Sequence, residues 1–500
     1  MSKISDHPKN PDHRYVNDLR RLDYSQSQSL AFLSSSLPLS AAALFLGLVA
    51  LIVGTYISDD ATHTLILVIA AMVGGYMALN IGANDVANNM GPAVGGKVIT
   101  VTTAVLIAAI FESAGALLAG GDVVNTIAKG IITPDPSLAV GDFRLLMLSA
   151  LFAAALWINL ATWLNAPVST THSIVGGVLG AGIAASGFGL VNWPMMGSIA
   201  ASWVISPLLG ALIAGMLLYL IKRLILNADD RYAGAHTWMP VLYALMASAF
   251  VAYMATKGLK RLVKFDMVEI ILAATLAGLL TYALSRPWLR PRINRTGPSK
   301  KDFYTLFNIP LLLGVALLSF AHGANDVANA VGPLAAIVST LESDAGIASK
   351  AAIPIWVMMV GALGISLGLL LFGPRLIRTV GEKITRLNAP RAYCVALSSA
   401  ITVLIATSMA LPVSSTHIAI GAIFGVGFLR EFLENPNRQK LRPGHKLNAT
   451  AQDAFNSIEA RSRRRLVRRS FALSIAAAWV ITVPCSAAIA AALYHAMQLL

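Results

Sequence analysis

The chain has 500 residues, of which 56% are hydrophobic and only 12% charged. So apolar a composition excludes a soluble globule and calls for many membrane spans. The net charge of +14 does not point to nucleic acid, because the basic residues stand in loops between apolar runs, where the excess of Lys and Arg in cytoplasmic loops accounts for them.

In chain order, residues 1–37 are polar, with Pro8, Pro11 and no apolar centre, and are expected to be a cytoplasmic tail and not a cleavable signal. Thirteen apolar runs follow, at 38–57, 64–82, 100–119, 144–164, 173–190, 196–221, 238–256, 268–285, 308–322, 352–373, 391–411, 414–429 and 471–495. Each is near the length of a span, roughly 20 residues. They divide into an extra N-terminal span (38–63), a first unit (64–221), a linker with two spans (222–307) and a second unit (308–500) that includes a basic loop at 430–470. Cys394 and Cys485 lie in apolar runs and read as small packing residues, since two cysteines supply neither a disulfide framework nor a metal cluster.

The two units are defined by repeated motifs. Gly82-Ala83-Asn84-Asp85-Val86-Ala87-Asn88 returns as Gly323-Ala324-Asn325-Asp326-Val327-Ala328-Asn329, each followed by Gly-Pro (Gly91-Pro92, Gly332-Pro333), where the membrane helix is expected to break. Pro167-Val168-Ser169-Thr170-Thr171-His172 returns as Pro412-Val413-Ser414-Ser415-Thr416-His417. Trp203-Val204-Ile205-Ser206 returns more loosely as Trp479-Val480-Ile481-Thr482.

Charge sets the orientation. Basic stretches at Lys222-Arg223, 286–301, 375–386 and 430–469 are expected in the cytoplasm, while Ser58-Asp59-Asp60 and the loop with Asp122, Asp135 and Asp142 are not. One loop, with Lys257, Lys260, Arg261 and Lys264, falls on the wrong side of this scheme. Five spans per unit and two between them make the second unit start from the opposite face, which predicts an inverted-topology repeat with broken or re-entrant helices meeting at a mid-membrane site.

A carboxylate in hydrocarbon costs on the order of 2.5–3.5 kcal/mol, so Asp85 and Asp326 are expected to face a cavity, an ion or a partner. With Asn84, Asn88, Asn325 and Asn329 they can form an oxygen cage for a hard cation or bond an oxyanion. The Pro-Val-Ser segments read as helix starts, at which Ser169, Thr170, Thr171, Ser414, Ser415 and Thr416 join free backbone N–H groups and the positive end of a helix dipole, a combination suited to an anion. Glu112 sits in an apolar span with Ile365 at the equivalent place in the second unit, and can carry a proton or help bind a cation. His172 and His417 are open between orienting the hydroxyls and a purely structural role.

At these residues the sequence resembles the inorganic phosphate transporter (PiT) family. The likeness rests on both Gly-Ala-Asn-Asp-Val-Ala-Asn copies, both Pro-Val-Ser segments, Phe111-Glu112 with Lys129-Gly130-Ile131-Ile132, and Trp203-Val204-Ile205-Ser206-Pro207, and it covers about 64–221 and 308–495. It implies an all-α polytopic membrane protein that transports phosphate with sodium or a proton by alternating access, without other cofactors. Phosphate would be held by Asp85, Asn88, Ser169, Thr170, Thr171, Asp326, Asn329, Ser414, Ser415 and Thr416. Coupling would fall to Asn84, Asp85, Asn325, Asp326 and Glu112, the first four as ligands if the ion is sodium. A bacterial inner membrane and a homodimer are the expected setting. A sulfate carrier and a passive anion channel are the alternatives. An intramembrane hydrolase built on Ser169, His172 and Asp85 is disfavoured, because an enzyme has no use for two copies of its site.

Overall fold

The structure, a computed structural model, describes residues 36–57, 61–133, 138–164, 166, 168–259, 263, 265–342, 353–383, 387–433 and 469–499. Most of the N-terminal tail, the Ser58-Asp59-Asp60 loop, Asp135, Pro167, Lys260, Arg261, Lys264 and nearly all of the 430–470 loop lie outside the described residues. The rest is helical, with no strand among the described residues beyond an isolated Ile132–Val191 bridge.

The helices are α1 (Ser36–Ile57), α2 (Ala61–Gly95), α3 (Val101–Ala119), a short α4 (Gly121–Asn125) that widens into a π turn, and α5 (Val140–Trp163). Then come α6 (Thr170–Ser186), α7 (Trp193–Ile221), α8 (Arg231–Tyr253), α9 (Met267–Asn294) and α10 (Asn308–Glu342). The last four are α11 (Ile355–Lys383), α12 (Ala389–Ser408), α13 (Ser415–Leu433) and α14 (Arg469–Gln498). Twelve of the described helices are long and apolar enough to cross a membrane. The run expected at 173–190 forms α6, whose 17 residues span about 25 Å, short of the ~30 Å hydrocarbon core.

One expectation fails. The Asp motifs do not break their helices: α2 and α10 run through them without interruption for 35 residues each, and Pro92 and Pro333 lie inside the helices. Hydropathy alone ends the runs at Asn and Asp, yet these side chains bond to other helices, and a membrane helix tolerates a proline where neighbours meet the freed carbonyl. The breaks fall instead between α5, which ends at Trp163, and α6, which starts at Thr170, and between α12, which ends at Ser408, and α13, which starts at Ser415. In the second of these Ala410 turns through φ 56°, and its carbonyl accepts the Thr126 hydroxyl at 2.7 Å.

Glycine decides how the units pack. A Cβ on Gly82 would lie 2.0 Å from the Ile365 carbonyl oxygen, and one on Gly323 would lie 2.0 Å from that of Glu112. Gly115 stands in the same relation to Phe320, and Gly368 to Leu79. Bare backbones at these points let helices approach closely, which in a membrane replaces the missing hydrophobic drive between helices. The contacts pair α2 with α11 and α3 with α10, and along each pair the contacts advance together, from Gly75–Val360 to Val86–Gly373 and from Glu112–Gly323 to Gly120–Val327, so the paired helices run parallel. A similar exchange joins α6 to α14 through Gly176 and Gly180, and α13 to α7 through Gly421 and Gly425.

α9 stands at the edge, with Leu272, Leu276, Leu279 and Leu284 exposed towards the bilayer, and packs on α8. Lys257, at the end of α8, is bound to Asp122 of α4 at 2.5 Å. One lysine of the loop that charge counting misplaces is thus paired with Asp122, one of the acidic residues expected on the other face.

Candidate functional site

Four helix segments converge on the two aspartates. Ser169 caps α6, accepting the His172 N–H at 3.1 Å, and Ser414 caps α13 in the same way from His417 at 3.3 Å, so the reading of these segments as helix starts is correct. The next residue of each segment bonds a carboxylate: Thr170 donates to Asp85 Oδ2 at 2.9 Å and Ser415 to Asp326 Oδ2 at 3.0 Å. The halves then reach across. Asn88 donates to Thr416 at 2.8 Å and Asn329 to Thr171 at 3.1 Å. Asp85, Asn88, Thr170, Thr171, Asp326, Asn329, Ser415 and Thr416 are thereby brought into one cluster, in which Asp85, Asp326, Thr170, Thr171 and Thr416 are each no more than 2% exposed.

Asn84 and Asn325 stand to the side of it. Asn84 donates to Thr162 at 2.9 Å, and Asn325 donates to Thr407 at 3.0 Å and accepts the Val413 N–H at 3.2 Å. Their bonds fasten the ends of α5 and α12 to the motif helices. His172 and His417 also stay out of the carboxylate cluster. Their rings meet each other at 4.5 Å, and His172 lies 3.8 Å from the Trp203 ring, whose Nε1–H donates to the Pro412 carbonyl at 3.2 Å.

The symmetry fails at one place. Thr416 donates to Asp85 Oδ1 at 3.2 Å, whereas the equivalent Thr171 donates to the Val413 carbonyl at 2.8 Å and leaves Asp326 Oδ1 without a hydrogen-bond partner. Asn329 Oδ1, one turn on, is also unpartnered. Two buried oxygens on one turn of α10 suit a hard cation.

On the other side of Asp326 is His322, which sequence reading overlooks. Its Nε2 lies 2.9 Å from Asp326 Oδ2 and 3.7 Å from Asp85 Oδ2, and its Nδ1 lies 3.2 Å from Glu112 Oε2. Asn89 completes the group by donating to Glu112 Oε1 at 2.8 Å. The first unit has Ile81 where the second has His322, so a signal exists in the sequence: an ionisable residue four positions before Asp326, hidden at the end of an apolar run. Asp85, His322 and Asp326 bring ligand atoms within 4.8 Å of one another. A neutral imidazole has one N–H, so it cannot donate towards both sides at once.

Three buried carboxylates thus surround one imidazole, and among the described residues no lysine or arginine forms an ion pair with them. Such a site attracts cations or protons, and admits an anion only once its negative charge is offset.

A model of the phosphate transporter family matches residues 81–490. A relative from Helicobacter pylori (strain J99), described as a candidate phosphate permease, is 41% identical over 96% of this chain and 98% of its own. "Inorganic phosphate transporter 2-1, chloroplastic" of Arabidopsis thaliana is 34% identical over 84% of this chain and 70% of its own. A solved structure, described as "The sodium-dependent phosphate transporter", superposes with a TM-score of 0.75 at 36% identity, covering 87% of this chain and all of that one.

Proposed function

Because the chain belongs to the phosphate transporter family, we propose that it moves inorganic phosphate across the membrane by cation symport. The observation that carries this reading is the uncompensated carboxylate cluster: Asp85, Asp326 and Glu112 with His322 as their only basic partner among the described residues. A phosphate dianion is repelled there until a cation binds, so cation binding precedes phosphate and couples the two.

Sodium fits the unpartnered oxygens of Asp326 and Asn329, and the sodium dependence of the similar solved transporter favours it. Phosphate would take the hydroxyls of Thr170, Ser415 and Thr416 once the carboxylates release them, and that of Thr171 once the Val413 carbonyl does. A proton-coupled reading is favoured by one observation of its own, the His322–Glu112 contact, which can take up and lose a proton without a metal. An inverted repeat working by alternating access is supported by the helix directions. α2 and α3 are joined by only five residues and run antiparallel, while α2 is parallel to α11 and α3 to α10, so the two motif helices run in opposite senses. An orientation with the N-terminus inside is supported by the loop charges, and the bacterial relative favours a bacterial inner membrane.

The test is uptake of labelled phosphate into proteoliposomes under an inward sodium gradient or an inward proton gradient, with sulfate as competitor. Concentrative uptake under either gradient, resistant to sulfate, is expected. Equilibration without accumulation means a channel, and full competition by sulfate removes the phosphate assignment.

A further inference from the structure

Outside the carboxylate cluster two cavities share a wall. One, of about 320 Å³, is apolar and lies among Phe111, Met246, Phe250, Leu313 and Leu317, with Tyr243 at its end. The other, of about 710 Å³, lies where α9 ends and α10 begins, and is lined by Tyr243, Trp288, Arg292, Arg295 and Asn308. Tyr243 borders both, so the two cavities adjoin at its side chain and are taken together as one groove. Its polar end carries the arginines; from Asn308 to Leu317 it descends along α10 for about 14 Å at the rise of a helix, the reach of much of an acyl chain.

The arginines are presented for an acidic partner. The Arg292 guanidinium carbon lies over the Trp288 ring, 3.5 Å from its centroid, a cation–π contact that uses the ring face and none of the N–H donors. Among the described residues no ion pair engages Arg292 or Arg295. The one carboxylate in the groove, Asp302, accepts the Ser299 N–H at 3.0 Å. A free phosphate ion would use the arginines and leave the apolar cavity unfilled. A neutral lipid would fill the cavity and leave the arginines unpaired.

We propose that the groove is a site for one anionic phospholipid, its phosphate held by Arg292 and Arg295 and one acyl chain laid between α8 and α10 as far as Phe111. Guanidinium forks match a phosphodiester, and a basic pocket between membrane helices is the setting in which acidic headgroups bind. The far end of the chain rests against Phe111, the neighbour of Glu112, so the occupant braces the wall of the carboxylate cluster without entering it.

The test uses the purified full-length chain, stripped of lipid in a neutral detergent, and reads its thermal midpoint. Dioleoyl phosphatidylglycerol is expected to raise the midpoint by several degrees, whereas phosphatidylcholine, glycerol phosphate and inorganic phosphate do not reproduce the rise at the groove. Arg292→Ala combined with Arg295→Ala removes most of the lipid-specific shift. Ala247→Trp, which fills the apolar cavity and keeps both arginines, removes it as well. If the double variant does not fold, Ala247→Trp alone decides. An undiminished shift in a folded variant, or an equal shift with phosphatidylcholine, overturns the site; a rise with inorganic phosphate that matches the lipid and is lost in the arginine variant reassigns it to free phosphate and overturns the lipid.

Discussion

Glu112 and His322 come from different halves of the chain and meet at 3.2 Å, Oε2 to Nδ1, in a place where the halves do not match. Replacing Glu112 with Gln keeps the shape and removes the charge. Removing one partner of a buried charged contact costs about 3–5 kcal/mol, so concentrative phosphate uptake is expected to fall by about 100-fold or more. If protons are the coupling ion, proton-driven uptake is lost altogether while sodium has no effect; if sodium is, the sodium dependence survives. Uptake at the wild-type rate under both gradients would show that the pair is only structural.

Asp85 and Asp326 are equivalent in sequence and unequal in their bonds. Both Asp85 oxygens accept hydroxyls, but one oxygen of Asp326 is open. Asp326→Asn should therefore raise the sodium concentration needed for half-maximal uptake more than Asp85→Asn does, whereas Asp85→Asn should disturb the Thr170 and Thr416 hydroxyls and weaken phosphate binding more. Uptake titrated separately in sodium and in phosphate distinguishes the two, and identical profiles for both variants would refute the asymmetry.

Gly82 and Gly323 have no room for a methyl group, since it would meet a backbone oxygen at 2.0 Å in each case. Overpacking a core costs about 1–3 kcal/mol where side chains can adjust, and a backbone cannot adjust so readily. Gly82→Ala and Gly323→Ala are expected to lower the thermal midpoint sharply or to abolish recovery of monodisperse protein. Gly189, with nothing within 4 Å of its Cβ position, is the control, and Gly189→Ala should leave both unchanged.

Asn325 is bonded to Thr407 and to the turn after α12. Asn325→Ala should cost stability, of the order of 1–3 kcal/mol for a buried donor and acceptor left unpaired, and leave the sodium dependence of the remaining uptake alone. A shift in sodium dependence without loss of stability would return Asn325 to the cation ligands that its sequence position suggests.

Most of the helices are legible in the sequence because hydropathy is a property of single segments, and the motif duplication locates the cluster. What stays hidden depends on partners. The polar run Asn84-Asp85 reads as a break because nothing in the sequence says that Thr162, Thr170 and Thr416 wait across the gap to satisfy it. His322 is hidden because a repeat displays what its copies share, and its counterpart is Ile81. Glu112 stands out for the opposite reason, alone inside an apolar run, but its partner lies more than two hundred residues away in the chain and is joined to it only by the packing of α3 on α10.

The glycine contacts also bear on how such a chain came to exist. α2 rests on α11 and α10 on α3, so neither sequence unit covers its own glycine stripe. A single unduplicated unit could bury that surface only by meeting a second copy of itself turned upside down in the same bilayer. On the inverted repeat proposed above, the present molecule is an antiparallel pair joined in one chain, with α8 and α9 as the tether between the two copies.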